Sequence, residues 1–406
     1  MPLNIAMVST HPDSEGGVSS YTENLIRSLR EHGLNVHLIT NKVKDNSIDE
    51  CEDIFPCWDF GFRYPFQIFK TLYKCKPDII HIQHEYFLYG GALSALLFPV
   101  LIFLAKLSGC QVIVTLHGVI PLSELSKKFL TLNDIKGPAS VHKIGLIFLT
   151  KIILLVSDSV IVHGNFFAET LIEEYGCPEK KIHVIPHGIK KIDPKVSQDV
   201  AKNSLGLKRR TMIFFFGYIA KYKGVEMLID GFQLLTEKYP DWVLIIGGGA
   251  HPRFKNNYSY NRYVSKLRGM AYSTNKQIIF TGFIKEEDLA KYFSAADLLV
   301  FPYTVIMSYS GPFAIASSYG KCVISSNIPP FTEYLPKEAL FERSAEDLAR
   351  KIDQVLNHPS LRDDISKHVM MMKYRNSWDK VGRQTEMVYR LILTKGEENW
   401  SSDGHA

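Results

Sequence analysis

The chain has 406 residues, of which 46% are hydrophobic and 22% are charged, and its formal net charge is +5. These values exclude a disordered or fibrous chain and predict a packed protein of two or three domains. The small positive charge, without a basic run, argues against a nucleic-acid partner. The six cysteines form no C-x-x-C pair, which argues against a structural zinc site and favours a reducing compartment.

The first half of the chain alternates short apolar runs with amphipathic helical stretches. Strands are predicted at residues 3–9, 34–40, 78–83, 111–116, 157–162 and 182–185. Near-continuous apolar runs of this length are typical of parallel strands that helices cover on both faces. A helix is predicted over residues 18–30, with an apolar stripe formed by Val18, Tyr21, Leu25 and Leu29. The alternation predicts a doubly wound α/β domain over residues 1–190. Because the chain starts directly in a strand, we expect no signal peptide and a cytoplasmic protein.

Two segments of the first half, residues 94–107 and 144–156, are unusually apolar. Each is shorter than the roughly 20 residues that span a bilayer, so the preferred interpretation is a buried helix. The alternative is a helix that lies on the inner face of a membrane. Lysines near these segments favour that alternative, and we assign Lys127, Lys128 and Lys136 to an acceptor or membrane face.

The second half repeats the α/β pattern after a polar stretch at residues 191–210, interpreted as a linker. Strands are predicted at residues 212–216, 243–247, 278–281, 298–302 and 322–326. A second domain is therefore expected over residues 191–375, and the default ligand site is the cleft between the two domains, at the carboxyl ends of their strands. A last helix at residues 376–395 is expected to pack back on the first domain, and residues 396–406 are expected to form a flexible tail.

Two glycine-containing loops join a predicted strand to a helix. Gly16–Gly17 could let the backbone approach a bulky ligand, although a simple turn would look the same. The second loop runs from Gly217 through Lys221 and Lys223 to Gly224. A lysine beside a helix start suits a diphosphate, whereas the alternative is a solvated surface lysine.

Two further strand ends carry polar side chains. Ser310 stands at a helix-cap position before Gly311–Pro312, where free N–H groups could bind a phosphate or the serine could serve only as a cap. His117 follows a strand directly and could contact a sugar hydroxyl or move a proton. His187 and the pair His84–Glu85 occupy similar positions and are alternatives to it.

The ordered set of these motifs resembles glycosyltransferase family four, whose members have the GT-B architecture of two Rossmann-like domains facing across a cleft. The resembling pieces are EGGVSSYTENL, KPDIIHIQ, TLHG, VIPHGI, FGYIAKYKGVEMLI, IIGGG, IIFTGFIKEEDLAKYFSAADLLVFPY and SGPFAIASSYGKCVISS. Together they cover nearly the whole chain.

The resemblance implies a role for each loop. Gly16–Gly17 would lie against the donor diphosphate and sugar, and Lys223 would bind phosphate. His117 would lie near the donor sugar. Many members carry arginine where this chain has Tyr218, so Lys221 could supply the missing cation. Gly217, Phe283 and Pro312 are also counted among the donor-binding residues.

The chain departs from the family in the third motif. Many members carry two glutamates there, one on the sugar and one on the ribose. An alignment on Gly320 places Met307 and Ile315 at those positions, and neither side chain accepts a hydrogen bond well. The chain resembles a branch with S-G-P at this helix start, so the phosphate role is transferred to Ser310 and Gly311.

These patterns predict a glycosyltransferase that moves a hexose-type sugar from a nucleotide-diphosphate sugar to a glycan or lipid-linked acceptor. His117 and Lys223 are the predicted catalytic residues. The resemblance implies a reaction with retention that needs no metal ion and no cofactor. The alternatives are another GT-B enzyme, such as a sugar-nucleotide epimerase or a phosphorylase, and a degenerate subunit that binds nucleotide sugar without catalysis.

Overall fold

The computed structural model describes residues 2–14, 16–43, 53–133, 135–193, 196–249, 257–272, 276–305 and 308–403. Within them the chain forms two parallel sheets, one in each half.

The first sheet has seven strands in the order β3-β2-β1-β4-β5-β6-β7, and all neighbouring strands are parallel. Its strands are β1 (Asn4–Val8), β2 (Asn35–Asn41), β3 (Ile54–Trp58), β4 (Ile79–His84), β5 (Gln111–Leu116), β6 (Ser159–Val162) and β7 (Ile182–Val184). The helices between them are α1 (Gly17–Glu31), α2 (Tyr64–Cys75), α3 (Ala92–Ala95), α4 (Phe98–Leu107), α5 (Lys127–Leu132), α6 (Ala139–Val156) and α7 (Asn165–Glu173).

The second sheet has six parallel strands in the order β10-β9-β8-β11-β12-β13. Its strands are β8 (Thr211–Phe216), β9 (Trp242–Gly247), β10 (Ile278–Gly282), β11 (Leu298–Phe301), β12 (Val323–Ser326) and β13 (Leu340–Phe341). The helices are α8 (Gln198–Ser204), α9 (Val225–Gln233), α10 (Tyr258–Tyr272), α11 (Glu286–Ala295), α12 (Gly311–Ser318), α13 (Phe331–Tyr334), α14 (Ala345–Asn357), α15 (Pro359–Arg375) and α16 (Trp378–Asp403).

Both sheets have the doubly wound topology that the sequence predicts. In each, the chain winds outward in one direction and then returns to the middle to wind in the other. The reversal falls between β1 and β4 in the first sheet and between β8 and β11 in the second. A ligand site is expected in the crevice outside the carboxyl ends of strands at such a point.

The structure differs from the predicted elements in three places. Strands β3 and β13 were missed, because β3 is a mostly half-exposed edge strand that contains Pro56 and β13 has only two residues. The stretch interpreted as a linker contains α8, which packs against α11. The last helix continues to Asp403, so the tail predicted to be flexible from residue 396 is helical up to that residue.

Helix α16 follows the second domain but covers a face of the first sheet. Its buried residues Val381, Val388 and Tyr389 share an apolar cluster with Leu25 of α1 and Ile5 of β1. The Ser28 hydroxyl donates a hydrogen bond to the carbonyl of Trp378 at 2.8 Å. The two domains are thus joined by the link at residues 185–197 and by a helix that crosses back.

Helix α6 is buried on one side only. Leu146, Leu149 and Ile153 contribute to the core, whereas Ile144 and Leu155 are 70% and 77% exposed. The prediction that this segment is a buried helix is therefore wrong for its outer face. In the described part of the chain, α6 is the one helix whose length and hydropathy would suffice to cross a membrane, with 28% of its residues buried.

Candidate functional site

Three of the four loops singled out in the sequence, and the alternative at Glu85, lie at the two reversal points, whereas His117 follows the next strand, β5. Gly16–Gly17 follow β1, and Glu85 follows β4. In the second domain, the loop from Gly217 to Gly224 follows β8 and residues 302–310 follow β11. Because parallel strands end at the same edge of a sheet, each domain presents its two loops side by side.

Lys223 is a buried cation that has no anionic partner among the residues that the structure describes. The residue is only 6% exposed, and its Nζ lies 6.0 Å from the ring centre of Tyr222 and 5.7 Å from that of Tyr303. No carboxylate within the described ranges forms an ion pair with it. Burial lowers the pKa of Lys223 to about 8. A buried ammonium in such surroundings is costly until an anion joins it.

Gly217 brings Lys223 and the start of α12 together. Its φ is +138°, and a Cβ at this position would lie 2.8 Å from Lys223 Nζ and 3.1 Å from Pro312 Cγ. A residue larger than glycine would therefore displace the ammonium group. The contact shows that Gly217, Lys223 and Pro312 line one small region.

Ser310 caps α12, so its hydroxyl is already engaged. Its Oγ accepts a hydrogen bond from Phe313 N at 3.3 Å and forms another with the Tyr303 hydroxyl at 3.0 Å. Pro312 has no N–H, which leaves the Gly311 N–H as the first-turn donor with no partner in the described residues. The phosphate-binding capacity of this helix start thus rests on Gly311 rather than on the serine side chain.

Both ring nitrogens of His117 have partners inside the protein. Nε2 lies 2.8 Å from Gln83 Oε1, and Nδ1 lies 3.1 Å from His163 Nε2. The pKa of His117 is well below its ordinary value, because the ring is buried and lies beside other histidines. Its surroundings favour a positioning role over the proton transfer considered above.

Several buried residues extend this hydrogen-bonded chain beyond His117. His163 Nδ1 donates to the Ile185 carbonyl at 3.0 Å, and His81 Nδ1 lies 2.6 Å from the hydroxyl of Tyr389 in α16. Burial lowers the pKa of His163 to about 4 and that of His81 to about 3. The sequence analysis did not single out Gln83 or His163. The signal for His163 was available, because V-H-G follows β6 just as L-H-G follows β5.

The segment before α12 crosses from the second domain to the first. Gly118 and Ser308 form an isolated antiparallel bridge, and Tyr309 N donates to the His117 carbonyl at 3.3 Å. The Tyr309 ring stacks on His187 with ring centres 4.6 Å apart. The end of β5 and the start of α12 therefore form one continuous site wall.

A second contact between the domains is a cross-domain helix cap. Glu333 accepts hydrogen bonds from Asn165 N at 2.8 Å and Phe166 N at 2.6 Å, at the start of α7. The neighbouring Tyr334 hydroxyl donates to the His163 carbonyl. The carboxylate lies at the positive end of the helix, where an acidic group is stabilising.

The other predicted donor-binding residues lie around this wall. Gly16–Gly17 are exposed, and no atom lies within 4 Å of where a Cβ on either would be. One turn further on, the Tyr21 ring packs edge-on against His117 at 4.7 Å. Tyr218 and Lys221 are half-buried in the loop after β8. Phe283 is 68% exposed and its Cβ would lie 3.2 Å from a Cβ on Gly249.

The remaining predicted residues lie away from the Lys223 region or cannot be placed. Lys127 and Lys128 are exposed on α5, and Lys136 is exposed on the turn before α6. Ile315 is half-buried in α12, whereas Met307 lies outside the described residues. No group of three or more His, Cys, Asp or Glu in the described part of the chain could hold a metal ion.

Two Rossmann-like domains with strand-end loops that meet across a cleft define a GT-B protein, and the lysine buried in one of these loops has no ion-pair partner among the described residues. The sequence model of Glycosyltransferase Family 4 matches residues 15–191, and that of Glycosyl transferases group 1 matches residues 197–369. The chain therefore belongs to the group 1 glycosyltransferases of family four.

Curated relatives with similar sequences are also glycosyltransferases. Mannosylfructose-phosphate synthase of Agrobacterium fabrum is 24% identical over 322 residues, which are 73% of this chain and 70% of that enzyme. An uncharacterized glycosyltransferase of Methanocaldococcus jannaschii is 25% identical over 252 residues, 58% of this chain. The match spans 61% of the length of that archaeal protein.

Solved structures show the same fold. Sucrose-phosphate synthase from Thermosynechococcus elongatus has a TM-score of 0.75 and 19% identity, and the match covers 97% of this chain and 100% of that one. HepE from Anabaena in complex with UDP-glucose has a TM-score of 0.68 and 14% identity, with 97% and 100% covered.

Proposed function

We propose that the chain transfers a hexose-type sugar from a nucleotide-diphosphate sugar to a glycan or lipid-linked acceptor, with retention and without a metal ion or cofactor. The observation that carries the proposal is the buried ammonium of Lys223, which has no carboxylate partner in the described residues and adjoins Gly217 and Pro312. A diphosphate at this point would supply the missing negative charge. The solved neighbours include HepE with UDP-glucose, which supports a donor of this class.

The chemistry follows from the placement of charge. As the bond between the anomeric carbon and the diphosphate oxygen breaks, negative charge grows on the leaving diphosphate. Lys223 and the Gly311 N–H would stabilise that charge with groups already oriented by the fold. The new bond forms between the anomeric carbon and an acceptor hydroxyl, whose proton leaves with the displaced phosphate oxygen or with solvent.

The alternative enzymes considered from the sequence have less support. Both family matches describe glycosyltransferases, which favours sugar transfer over epimerisation or phosphorolysis. A subunit that binds nucleotide sugar without catalysis would also keep the buried lysine, so it is separated from a transferase by turnover of the nucleotide sugar and not by binding.

Binding of the diphosphate should weaken as the pH rises above about 8. Below that pH Lys223 is protonated before and after binding, whereas above it a proton must be taken up with the ligand. We expect UDP, GDP or ADP, alone or with a sugar attached, to raise the melting temperature at pH 7. The affinity of the best ligand, measured by calorimetry from pH 7 to 9.5, should fall by up to about tenfold per pH unit above 8. Absence of stabilisation by every ligand would contradict the proposed function.

We further propose that the acceptor is reached at an anionic membrane surface, on the cytoplasmic side. Helices α2, α4 and α6 pack side by side and leave apolar side chains exposed. A groove of about 410 Å³ on α6 is lined by Ile144, Ile147, Phe148, Lys151, Ile152 and Leu155. Apolar side chains flanked by lysines are typical of a helix lying in the headgroup region.

The double variant Ile144→Ser, Phe148→Ser should bind anionic vesicles at least about tenfold more weakly, because it removes apolar surface that would enter the bilayer. Co-sedimentation with vesicles of phosphatidylglycerol and phosphatidylcholine measures this. Neutralising Lys127, Lys128 and Lys136 should weaken binding mainly at low salt. The control is Leu234→Ser, which changes an apolar residue of similar exposure in the second domain. Equal binding by all variants would remove the support for a membrane contact.

A further inference from the structure

The reversal point of the first sheet carries a carboxylate that the mechanism above does not use. Glu85 follows β4 directly. The backbone N–H of His117 donates to the carbonyl of His84, the residue before Glu85, at 2.9 Å. Glu85 therefore lies beside His117 at the carboxyl edge of the sheet, where two of the loops of the first domain meet.

The second domain closes over Glu85. Ser308, which forms a bridge with Gly118, lies close enough to Glu85 for its side chain to lower the pKa of that carboxyl, although burial has the larger, opposite effect. The negative charge of Glu85 also reaches Tyr222 and adds to the effect of burial in raising the pKa of that phenol. Tyr222 directly precedes Lys223, so the carboxylate faces the same loop that holds the buried ammonium.

Glu85 has unused hydrogen-bonding capacity. An ionised carboxylate offers about four acceptor positions, and among the residues that the structure describes the Ser308 side chain is the one that lies near enough to the half-buried Glu85 to occupy one of them. Burial raises the pKa of Glu85, since the ionised form has lost water without gaining enough donors. Glu333, another carboxylate between the domains, has two backbone donors instead.

Sugar hydroxyls are hydrogen-bond donors, and the Glu85 carboxylate has acceptor positions left for such donors. The donor sugar is attached to the diphosphate, and the diphosphate would lie on Lys223, so the sugar would be held close to the loop that Glu85 faces. The third motif offers no carboxylate for it, because positions 307 and 315 are methionine and isoleucine. Ser308, which lies near Glu85, is the neighbour of position 307.

We propose that Glu85 accepts hydrogen bonds from hydroxyls of the donor sugar, so that the first domain supplies the sugar-binding carboxylate that the second domain lacks. This inference rests on the proposed function. It makes sugar recognition depend on closure of the cleft, because the diphosphate and the sugar are then held by opposite domains.

The test compares the affinity for a nucleotide sugar with that for its nucleoside diphosphate. UDP and UDP-glucose, GDP and GDP-mannose, and ADP and ADP-glucose are titrated calorimetrically into the wild type and into Glu85→Gln. The variant should bind the best nucleotide sugar about ten- to a hundredfold more weakly, with the affinity for the diphosphate unchanged. Glu85→Asp, which is one methylene shorter, should show the same selective loss and replaces the first variant if that one does not fold.

Glu174→Gln is the matched control. Glu174 is a half-buried carboxylate of the first domain that accepts hydrogen bonds from Leu122 N and the Ser123 hydroxyl, so its acceptor positions are already used. It should leave both affinities unchanged. The inference is overturned if Glu85→Gln and Glu85→Asp bind the nucleotide sugar as the wild type does, or lose the diphosphate equally. If the wild type binds neither ligand of any pair, the proposed function fails and the inference with it.

Discussion

Replacing Lys223 by methionine should lower kcat/KM by about 10²- to 10³-fold without destabilising the fold. The ammonium is the one charged side chain that we assign to the leaving diphosphate, and removal of a single preorganised charge-stabilising group has an effect of this size. Methionine is also unbranched, is one heavy atom shorter, and removes a buried charge that has no ion-pair partner in the described residues. The melting temperature without ligand should therefore stay the same or rise.

Lys321→Met is the control for this experiment. Lys321 is also a lysine of the second domain whose pKa is lowered by burial to about 8, but its Nζ donates to the Ser294 carbonyl at 2.7 Å. Its replacement should lower the melting temperature, because a buried acceptor loses its donor, and should leave kcat/KM within about threefold of the wild type. Steady-state kinetics and thermal unfolding of both variants separate the two roles. Near-normal turnover of Lys223→Met would refute the assigned role.

Replacing Gly224 by alanine should destabilise the second domain by about 3 kcal/mol. Gly224 has a φ of +66°, which costs an L-residue roughly 1–2 kcal/mol. A Cβ would also overlap the carbonyl oxygen of Pro302, whose backbone follows the buried strand β11. Neither of these two backbone segments can move freely, because Gly224 joins the Lys223 turn to α9 and Pro302 begins the segment that leads to Ser310.

Gly269→Ala is the matched control, since Gly269 lies inside α10 with no atom within 4 Å of an added Cβ. Alanine should stabilise that helix by about 0.5–1 kcal/mol. Urea titrations yield the free energy of unfolding for both variants. If Gly224→Ala were as stable as the wild type, the left-handed conformation of residue 224 would be refuted.

The site depends on a close approach of loops that are distant in the sequence. Because Gly217 has no side chain, Lys223 can lie against Pro312. Because Gly248 has none, the Gly217 carbonyl can lie against the backbone of Gly248. The sequence shows that these glycines stand at strand ends, but it does not show which contact each of them permits. Which atom each of them makes room for follows only from the packing of β8, β9 and α12.

The sequence analysis recovered most of the fold because parallel strands and their covering helices leave periodic signals. The apolar run of β5 and the stripe of α1 are local patterns, and the structure confirms both. It failed where the local signal was weak or ambiguous. A helix that is apolar all round, such as α6, does not reveal which face is covered, and the exposed faces of Ile144 and Phe148 became visible only when the core was assembled.

The sequence by itself determined the two-domain α/β architecture and the four loops at which a ligand would bind, because alternation of apolar runs and the position of glycine, lysine and histidine after a strand are local properties. Only the tertiary structure decided how those residues act. In it, Gln83 and His163 lie against the two ring nitrogens of His117, Lys223 has no ion-pair partner among the described residues, and Glu85 lies near Ser308. Such pairings join residues up to hundreds of positions apart, and no short stretch of sequence records them.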